Sequence, residues 1–81
     1  IFVGEVIRQG RDGWAEVEVK NRFRVGDQLE LLTPRGNRRF RLQAMTDGEG
    51  QPADLAPGAG HRVRIHLPLT DSSLGLLTRL L

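Results

Sequence analysis

The sequence predicts an all-β domain, a small antiparallel barrel that ends in a short C-terminal tail or helix. Five or six short segments alternate apolar and polar residues, and turns rich in glycine and proline separate them at similar intervals. The chain has 81 residues and no cysteine, so one modest core must hold it without disulfides or thiolate metal sites. Because the first residue already belongs to a predicted strand and no initiator methionine precedes it, we expect a fragment of a larger protein.

The first two predicted strands form a hairpin. Residues 2–8 alternate imperfectly, and the Asp12-Gly13 pair suits a tight turn. Residues 14–20 form the clearest strand, because apolar and charged side chains alternate along it without interruption. Its predicted inward face carries Ala15, Val17 and Val19, and its outward face carries Glu16, Glu18 and Lys20.

A basic loop at residues 21–27 joins this hairpin to the next strand. Phe23 and Val25 alternate with arginines in the loop, so we expect both apolar side chains to enter the core. Residues 28–33 then form a strand. Leu32 breaks its alternation, which places this leucine either at a strand end or in contact with another domain.

The second half of the chain continues as strands and ends in an apolar tail. The remaining predicted strands are residues 38–46, 53–56 (a short strand or bridge) and 61–67. The barrel is assigned to residues 1–70 and the tail to residues 71–81. A helix in the tail could begin at Asp71 or Ser72, which are good N-cap residues, although Gly75 disfavours it.

No arrangement of residues typical of catalysis or metal binding is found in the sequence. The two histidines, His61 and His66, lie five positions apart on one predicted strand and therefore face opposite ways. Ser72 and Ser73 lack the turn that a nucleophilic serine occupies. Two G-x-G fragments do not continue into a phosphate-binding loop. We therefore predict no catalytic residue, no metal and no cofactor in this domain.

Arginines provide the sharpest feature of the sequence, although the formal net charge is only +2. Three pairs are spaced two apart on strand-like segments, so the members of each pair share a face: Arg22 and Arg24, Arg39 and Arg41, Arg62 and Arg64. One interpretation is a surface that contacts RNA or phosphate. The other is a solvated face neutralised by Glu16, Glu18 and Glu30. Both stay open, and the aromatic candidates for base stacking, Trp14 and Phe23, are expected in the core.

One long run and several short motifs resemble a known family. The run is VEVKNRFRVGDQLELLTPRGN at residues 17–37, and the shorter motifs are FVGEV, DGEG, APGAGH and HLPL. Together they resemble, in the same order and over nearly the whole chain, the C-terminal domain of the collagenase-like peptidases, peptidase family U32. The subgroup that they resemble comprises bacterial tRNA uridine hydroxylation proteins.

This resemblance implies a barrel like the second domain of elongation-factor-like translation proteins. It also implies a larger α/β-barrel catalytic domain on the N-terminal side, described for the family as a protease. For the tRNA subgroup it implies formation of 5-hydroxyuridine at the wobble position, linked to prephenate metabolism and an iron–sulfur cluster. This chain has no cysteine and so no thiolate ligands for such a cluster. No catalytic residue of the family can be carried over to a position in this chain.

We therefore expect a non-catalytic accessory domain of a cytoplasmic tRNA-modifying enzyme or hydrolase. Its expected partners are the missing N-terminal catalytic domain and tRNA, with no membrane. The six arginines are the candidates for phosphate contacts. One alternative is a structural docking module whose contacts are Leu32, Leu76, Leu77, Leu80 and Leu81. Another is a domain of a true protease that binds a protein substrate at an open sheet edge.

Overall fold

The computed structural model describes residues 1–10, 12–67 and 74–80, which form strands and turns. The strands are β1 (Phe2–Gln9), β2 (Trp14–Val19), β3 (Phe23–Arg24), β4 (Gln28–Thr33), β5 (Gly36–Arg41), β6 (Met45–Thr46), β7 (Leu55–Ala56), β8 (Arg62–His66) and β9 (Gly75–Arg79). The all-β prediction is confirmed. Among the described residues there is no helix, and hence none that could cross a lipid bilayer.

Seven strands form one antiparallel sheet in the order β5-β4-β9-β1-β2-β8-β6, and β3 pairs with β7 in a small second sheet. The edge strands β5 and β6 are joined by only three residues, 42–44. Since an extended chain advances at most about 3.6 Å per residue, the two edges lie within roughly 14 Å of each other. The sheet therefore curls into a half-barrel around the core.

The core is built from the inward side chains of this curled sheet and of β3. Its largest fully buried side chains include Phe23, Leu29, Leu31, Ile65 and Leu77. Phe23 comes from the basic loop, and Val25 of the same loop packs against the core. The prediction is confirmed for Phe23, which is fully buried, whereas Val25 is only partly buried. Burial of a large apolar side chain such as that of Phe23 stabilises the fold by about 1.5–3 kcal/mol.

The strand predicted at residues 38–46 is interrupted, because the chain turns a corner after β5. The amide of Leu42 donates to the carbonyl of Asp27 at 2.9 Å, and the amide of Gly26 donates to the carbonyl of Leu42 at 2.8 Å. The amide of His66 donates to the carbonyl of Ala44 at 3.0 Å. The 42–44 segment thus passes from the β4 side of the half-barrel to the β8 side, and a continuous strand is not possible there.

The described part of the predicted tail, residues 74–80, is not separate from the barrel, and the helical prediction is wrong for β9. Strand β9 lies between β1 and β4 and pairs with both, with Leu77 opposite Gly4 on one side and Leu31 on the other. Gly75 is required by this packing rather than by a helix end, since a Cβ there would collide with the carbonyl of Leu32. Residues 71–73, where the helix was predicted to begin, and Leu81 lie outside the described residues.

Candidate functional site

A groove on the outer face of β1, β2 and β8 gathers three arginines, and we call it the outer groove. Its volume is about 380 Å³, and it is lined by Arg8, Gly10, Trp14, Glu16, Gly48, Arg62, Val63 and Arg64. Two of these arginines, Arg62 and Arg64, belong to the predicted set. Arg8 was missed by the sequence interpretation.

The register of the sheet explains how these side chains meet. Glu16 of β2 stands opposite Arg64 of β8, and Glu18 stands opposite Arg62. On the other side, a bulge in β1 between Val6 and Arg8 moves the register by one residue, so that Arg8 lies opposite Glu16. Because neighbouring strand positions face opposite ways, the bulge brings Arg8 onto the outer face. Simple alternation along β1 gives no sign of this bulge.

The ion pairs in the outer groove are long. Arg62 Nη1 lies 3.6 Å from Glu16 Oε1, and Arg8 Nε lies 4.0 Å from Glu16 Oε2. Arg64 Nη2 lies 3.9 Å from Asp12 Oδ2. Charge-assisted hydrogen bonds are about 2.7–2.9 Å, so these carboxylates orient the guanidinium groups without saturating them. The arginine side chains are 53–81% exposed and remain accessible to an anionic ligand.

Trp14 is half-buried and lines the outer groove, which corrects the expectation that it belongs to the core. Its ring meets that of His66 edge to face, with centroids 5.5 Å apart and an interplanar angle of 73°. Phe23, the other aromatic candidate, is fully buried. The groove therefore combines guanidinium groups with one aromatic side chain, which is the combination that binds single-stranded nucleic acids.

The other predicted arginines do not line the outer groove. Arg39 lies on β5, with its Nε 3.5 Å from Glu30 Oε2. Arg41 Nη1 donates to the carbonyl of Gly26 at 2.7 Å, which ties the end of β5 to the neighbouring turn. Arg24 is exposed on β3, and its amide donates to Asp27 Oδ2 at 2.9 Å.

Arg22 lies in a second groove, which we call the end groove. Its volume is about 540 Å³, and it is lined by Ile1, Lys20, Asn21, Arg22, Pro57, Gly58, Ala59 and Arg79. Lys20 Nζ donates to Glu18 Oε1 at 2.9 Å. This hydrogen bond, together with the charge of Lys20, lowers the pKa of the Glu18 carboxyl and correspondingly raises the pKa of Lys20.

The predicted docking leucines divide between the surface and the core. Leu32 and Leu76 stand opposite each other on β4 and β9, where Leu32 is half-buried and Leu76 is 42% exposed. Leu74 is also exposed, and Leu80 is half-buried. Leu77 is fully buried, because it faces inward from β9, so it belongs to the core and not to a docking surface. Leu81 lies outside the described residues.

Within the described ranges, no group of three or more His, Asp or Glu side chains is placed to hold a metal ion. His61 Nδ1 lies 3.3 Å from the carbonyl of Gly58, and His66 packs against Trp14.

Comparison with known proteins gives three consistent results. A family model described as the peptidase family U32 C-terminal domain matches residues 1–79. Two relatives named tRNA hydroxylation protein P, from Escherichia coli and Haemophilus influenzae, are 45% identical over 67 residues and 41% identical over 68 residues. Each alignment covers 83% of this chain and 15% of the relative, so the chain spans about 15% of the length of these proteins.

The fold is also found among solved structures. The C-terminal domain of a Geobacillus thermoleovorans protein assigned to peptidase family U32 superposes with a TM-score of 0.89 at 23% sequence identity. The superposition covers 99% of this chain and 92% of that domain. The selenomethionine variant of the same domain gives a TM-score of 0.85 at 24% identity. At 23–24% sequence identity, these superpositions show that the fold is shared.

Proposed function

The chain belongs to the family of peptidase family U32 C-terminal domains, and from this membership we propose that it is an accessory domain that positions RNA for a tRNA-modifying protein. Two relatives above 40% identity are named for tRNA hydroxylation. The chain corresponds to about 15% of their length, so the reaction itself is assigned to the rest of the protein. A cytoplasmic location forms part of the same proposal, because tRNA is the proposed partner.

The outer groove is the observation that supports this proposal. Its three arginines project from β1 and β8, the two strands that flank β2, and their described carboxylate partners hold them by long ion pairs. Guanidinium groups bind phosphates through a planar fork, and phosphate contacts fix the position of a nucleic acid without reading its sequence. Trp14 offers a surface on which an unpaired base can stack, such as a base of an anticodon loop.

The carboxylates in the groove limit the affinity. Glu16 and Asp12 offset part of the charge of Arg8, Arg62 and Arg64. We therefore expect weak binding that depends strongly on salt, which suits a domain that orients an RNA already bound elsewhere in the protein. Each phosphate contact contributes about 0.7–0.9 to the slope of log affinity against log salt.

Titration of the chain with a fluorescent tRNA anticodon stem-loop, at several salt concentrations, tests the proposal. We expect anisotropy to rise at low salt and the fluorescence of Trp14, the single tryptophan, to change in parallel. The Arg62→Ala/Arg64→Ala variant should lose about tenfold in affinity and flatten the salt slope by one to two units.

The matched control is Arg35→Ala/Arg38→Ala, which removes the same charge from exposed positions outside both grooves. Equal losses in the two double variants would show only a general charge effect. Absence of binding at low salt would remove the proposed role of the outer groove.

A docking role is the second candidate, because apolar side chains are exposed on one part of the sheet. Leu74 and Leu76 are 53% and 42% exposed, and Leu32 lies opposite Leu76. An apolar surface of this kind fits contact with the remainder of a longer protein. If it docks there, Leu76→Ser should lower the melting temperature of the full-length protein while leaving that of the isolated chain nearly unchanged. Equal shifts in both would contradict docking.

A further inference from the structure

The end groove differs from the outer groove in having no carboxylate among its lining residues. Three cationic side chains face it, from Lys20, Arg22 and Arg79, and the turn at residues 57–59 forms its far wall. Glu18 accepts a hydrogen bond from Lys20. In the described part of the chain, neither Arg22 nor Arg79 has a carboxylate within ion-pair distance. The groove is thus a concave, positively charged end of the half-barrel.

Arg79 has an unusual position in this groove. Leu77, two residues earlier on β9, faces the core, and Arg79 pairs in register with the buried Leu29 of β4. Its side chain therefore lies on the inward face, at the last position of the strand. The backbone of Arg79 exchanges two hydrogen bonds with Ile1, at 2.7 and 3.1 Å, which fixes its place.

The Nε atom of Arg79 is buried and has no hydrogen-bond partner among the described residues. Leaving a charged donor buried and unpaired is costly, because it gives up hydration without gaining an acceptor. The other cations of the groove are on its rim, where Arg22 is exposed and Lys20 is held by Glu18. Because Nε–H is a donor, its missing partner is a hydrogen-bond acceptor. The positive charge of the surrounding side chains favours an anionic acceptor.

We propose that the end groove is an oxyanion site that binds a phosphate group. In this site the guanidinium of Arg79 donates from the buried side, and Arg22 and Lys20 supply charge from the rim. A guanidinium presents parallel N–H donors that match two oxygens of a phosphate. The phosphate could belong to an RNA backbone or to a small phosphate-bearing molecule. The site does not depend on the outer groove, whose arginines lie on other strands.

The Nε–H group of Arg79 gives a direct readout by ¹H–¹⁵N NMR of the 81-residue chain. We expect its resonance to move on titration with inorganic phosphate and to saturate, together with backbone amides at residues 57–59. Arg22→Gln should weaken the binding about three- to tenfold, as loss of one charge-assisted contact does. Arg35→Gln is the charge-matched control and should leave it unchanged, since Arg35 lies outside the groove.

A second variant, Arg79→Lys, distinguishes loss of phosphate binding from loss of folding. Arg79→Lys keeps the charge but removes the planar fork, and its fold can be checked by the dispersion of the spectrum. Phosphate binding to this variant should be lost. If Arg79→Lys binds as well as the unmodified chain, or if Arg79 Nε–H does not respond to phosphate, the proposed site is refuted.

A short single-stranded RNA separates the two sources of phosphate. Movement of Arg79 Nε–H with RNA as well as phosphate indicates a backbone contact, whereas movement with phosphate alone indicates a small-molecule ligand. Either supports the site. RNA binding at the outer groove is tested separately, by the anisotropy of the Arg62→Ala/Arg64→Ala variant. Either proposal can therefore be refuted without the other.

Discussion

The outer groove and the end groove each present three cationic side chains, but their acidic residues are arranged differently. In the outer groove, Glu16 lies between Arg8 and Arg62, and Asp12 lies near Arg64. In the end groove, Lys20 is the only cationic residue that has a carboxylate partner among the described residues, and this partner is Glu18. The number of arginines therefore says less about anion binding than the placement of the carboxylates does.

The difference follows from where each groove lies on the sheet. Across the middle of a sheet, every outward side chain has a neighbour on the next strand, and opposite charges there stabilise the pairing by about 0.2–1 kcal/mol. Glu16 and Arg64 are such neighbours. At a strand end such as Arg79 the ladder stops, and no described cross-strand partner compensates its Nε. Sheet ends are thus the places where an unpaired charge can serve a ligand.

The largest expected effect comes from disrupting β9, the strand that places Arg79 in the end groove. Gly75→Ala places a Cβ against the carbonyl of Leu32, so β4 and β9 must separate or bend. We expect a loss of about 3 kcal/mol in the free energy of unfolding, measured by urea denaturation. Hydrogen exchange should accelerate more in β9 than in β2 and β8, which carry most of the outer groove.

Gly48→Ala is the matched control for that experiment. Gly48 lines the outer groove, and a Cβ there would meet only the carbonyl oxygen of Arg62, at an ordinary 3.6 Å. Its free energy of unfolding should stay within about 0.5 kcal/mol of the unmodified chain. Equal losses in both variants would contradict the close approach of Gly75 and Leu32.

A smaller effect is expected when the outer groove is made to resemble the end groove. Glu16→Gln removes the carboxylate shared by Arg8 and Arg62, so both guanidinium groups become available to RNA. We expect affinity for the anticodon stem-loop to rise about fivefold and the salt slope to steepen by about one. Glu30→Gln, which frees Arg39 outside both grooves, should leave the affinity unchanged. A fall in affinity with Glu16→Gln would mean that Glu16 is needed to orient the arginines.

The smallest effect concerns the carboxylate of Glu18, which accepts a hydrogen bond from Lys20 at the rim of the end groove. Lys20→Met should raise the pKa of Glu18 towards its ordinary value, because the hydrogen bond and charge that lower that pKa are removed. A ¹³C NMR pH titration measures the change. Arg22→Gln, which removes another cation of the same groove, should leave the pKa of Glu18 as it is. An unchanged pKa in Lys20→Met would exclude the pair.

The pH dependence of the stability contributed by the Glu18–Lys20 pair follows from the directions of their two pKa shifts. The lowered pKa of Glu18 contributes stability above the carboxyl's unfolded-state pKa, and this contribution is lost as the pH falls through the folded-state pKa. The raised pKa of Lys20 contributes below the amine's unfolded-state pKa, and this is lost as the pH rises through the folded-state pKa. Both groups are exposed to solvent, so the pair contributes little overall.

Local patterns in the sequence were sufficient for much of the fold. The alternation in β2 and β8 follows from the local order of apolar and polar residues, which can be read from the sequence. The same local order predicts that Phe23 is buried and that Val25 packs against the core. The family resemblance was likewise carried by contiguous motifs and is confirmed by the match to residues 1–79.

Features that depend on distant partners were not predictable in this way. The sequence predicts a tail where β9 lies, because these residues become a strand only by pairing with β1 and β4. Arg8 was missed because a bulge in β1 changes the face on which its side chain lies, and Arg79 because its inward position depends on the pairing of β9 with β4. The six predicted arginines share only a spacing of two residues along the chain. This spacing does not predict which strands are neighbours in the sheet.

The position of β9 has a consequence for biosynthesis. Phe2 pairs with Thr78, so two strands from nearly opposite ends of the sequence must meet before the sheet is continuous. While a ribosome is still translating the residues before Gly75, β1 and β4 each have an edge with no partner. Such edges readily pair with other chains. A nascent or prematurely terminated product that lacks β9 is therefore the form most exposed to aggregation and to the chaperones that prevent it.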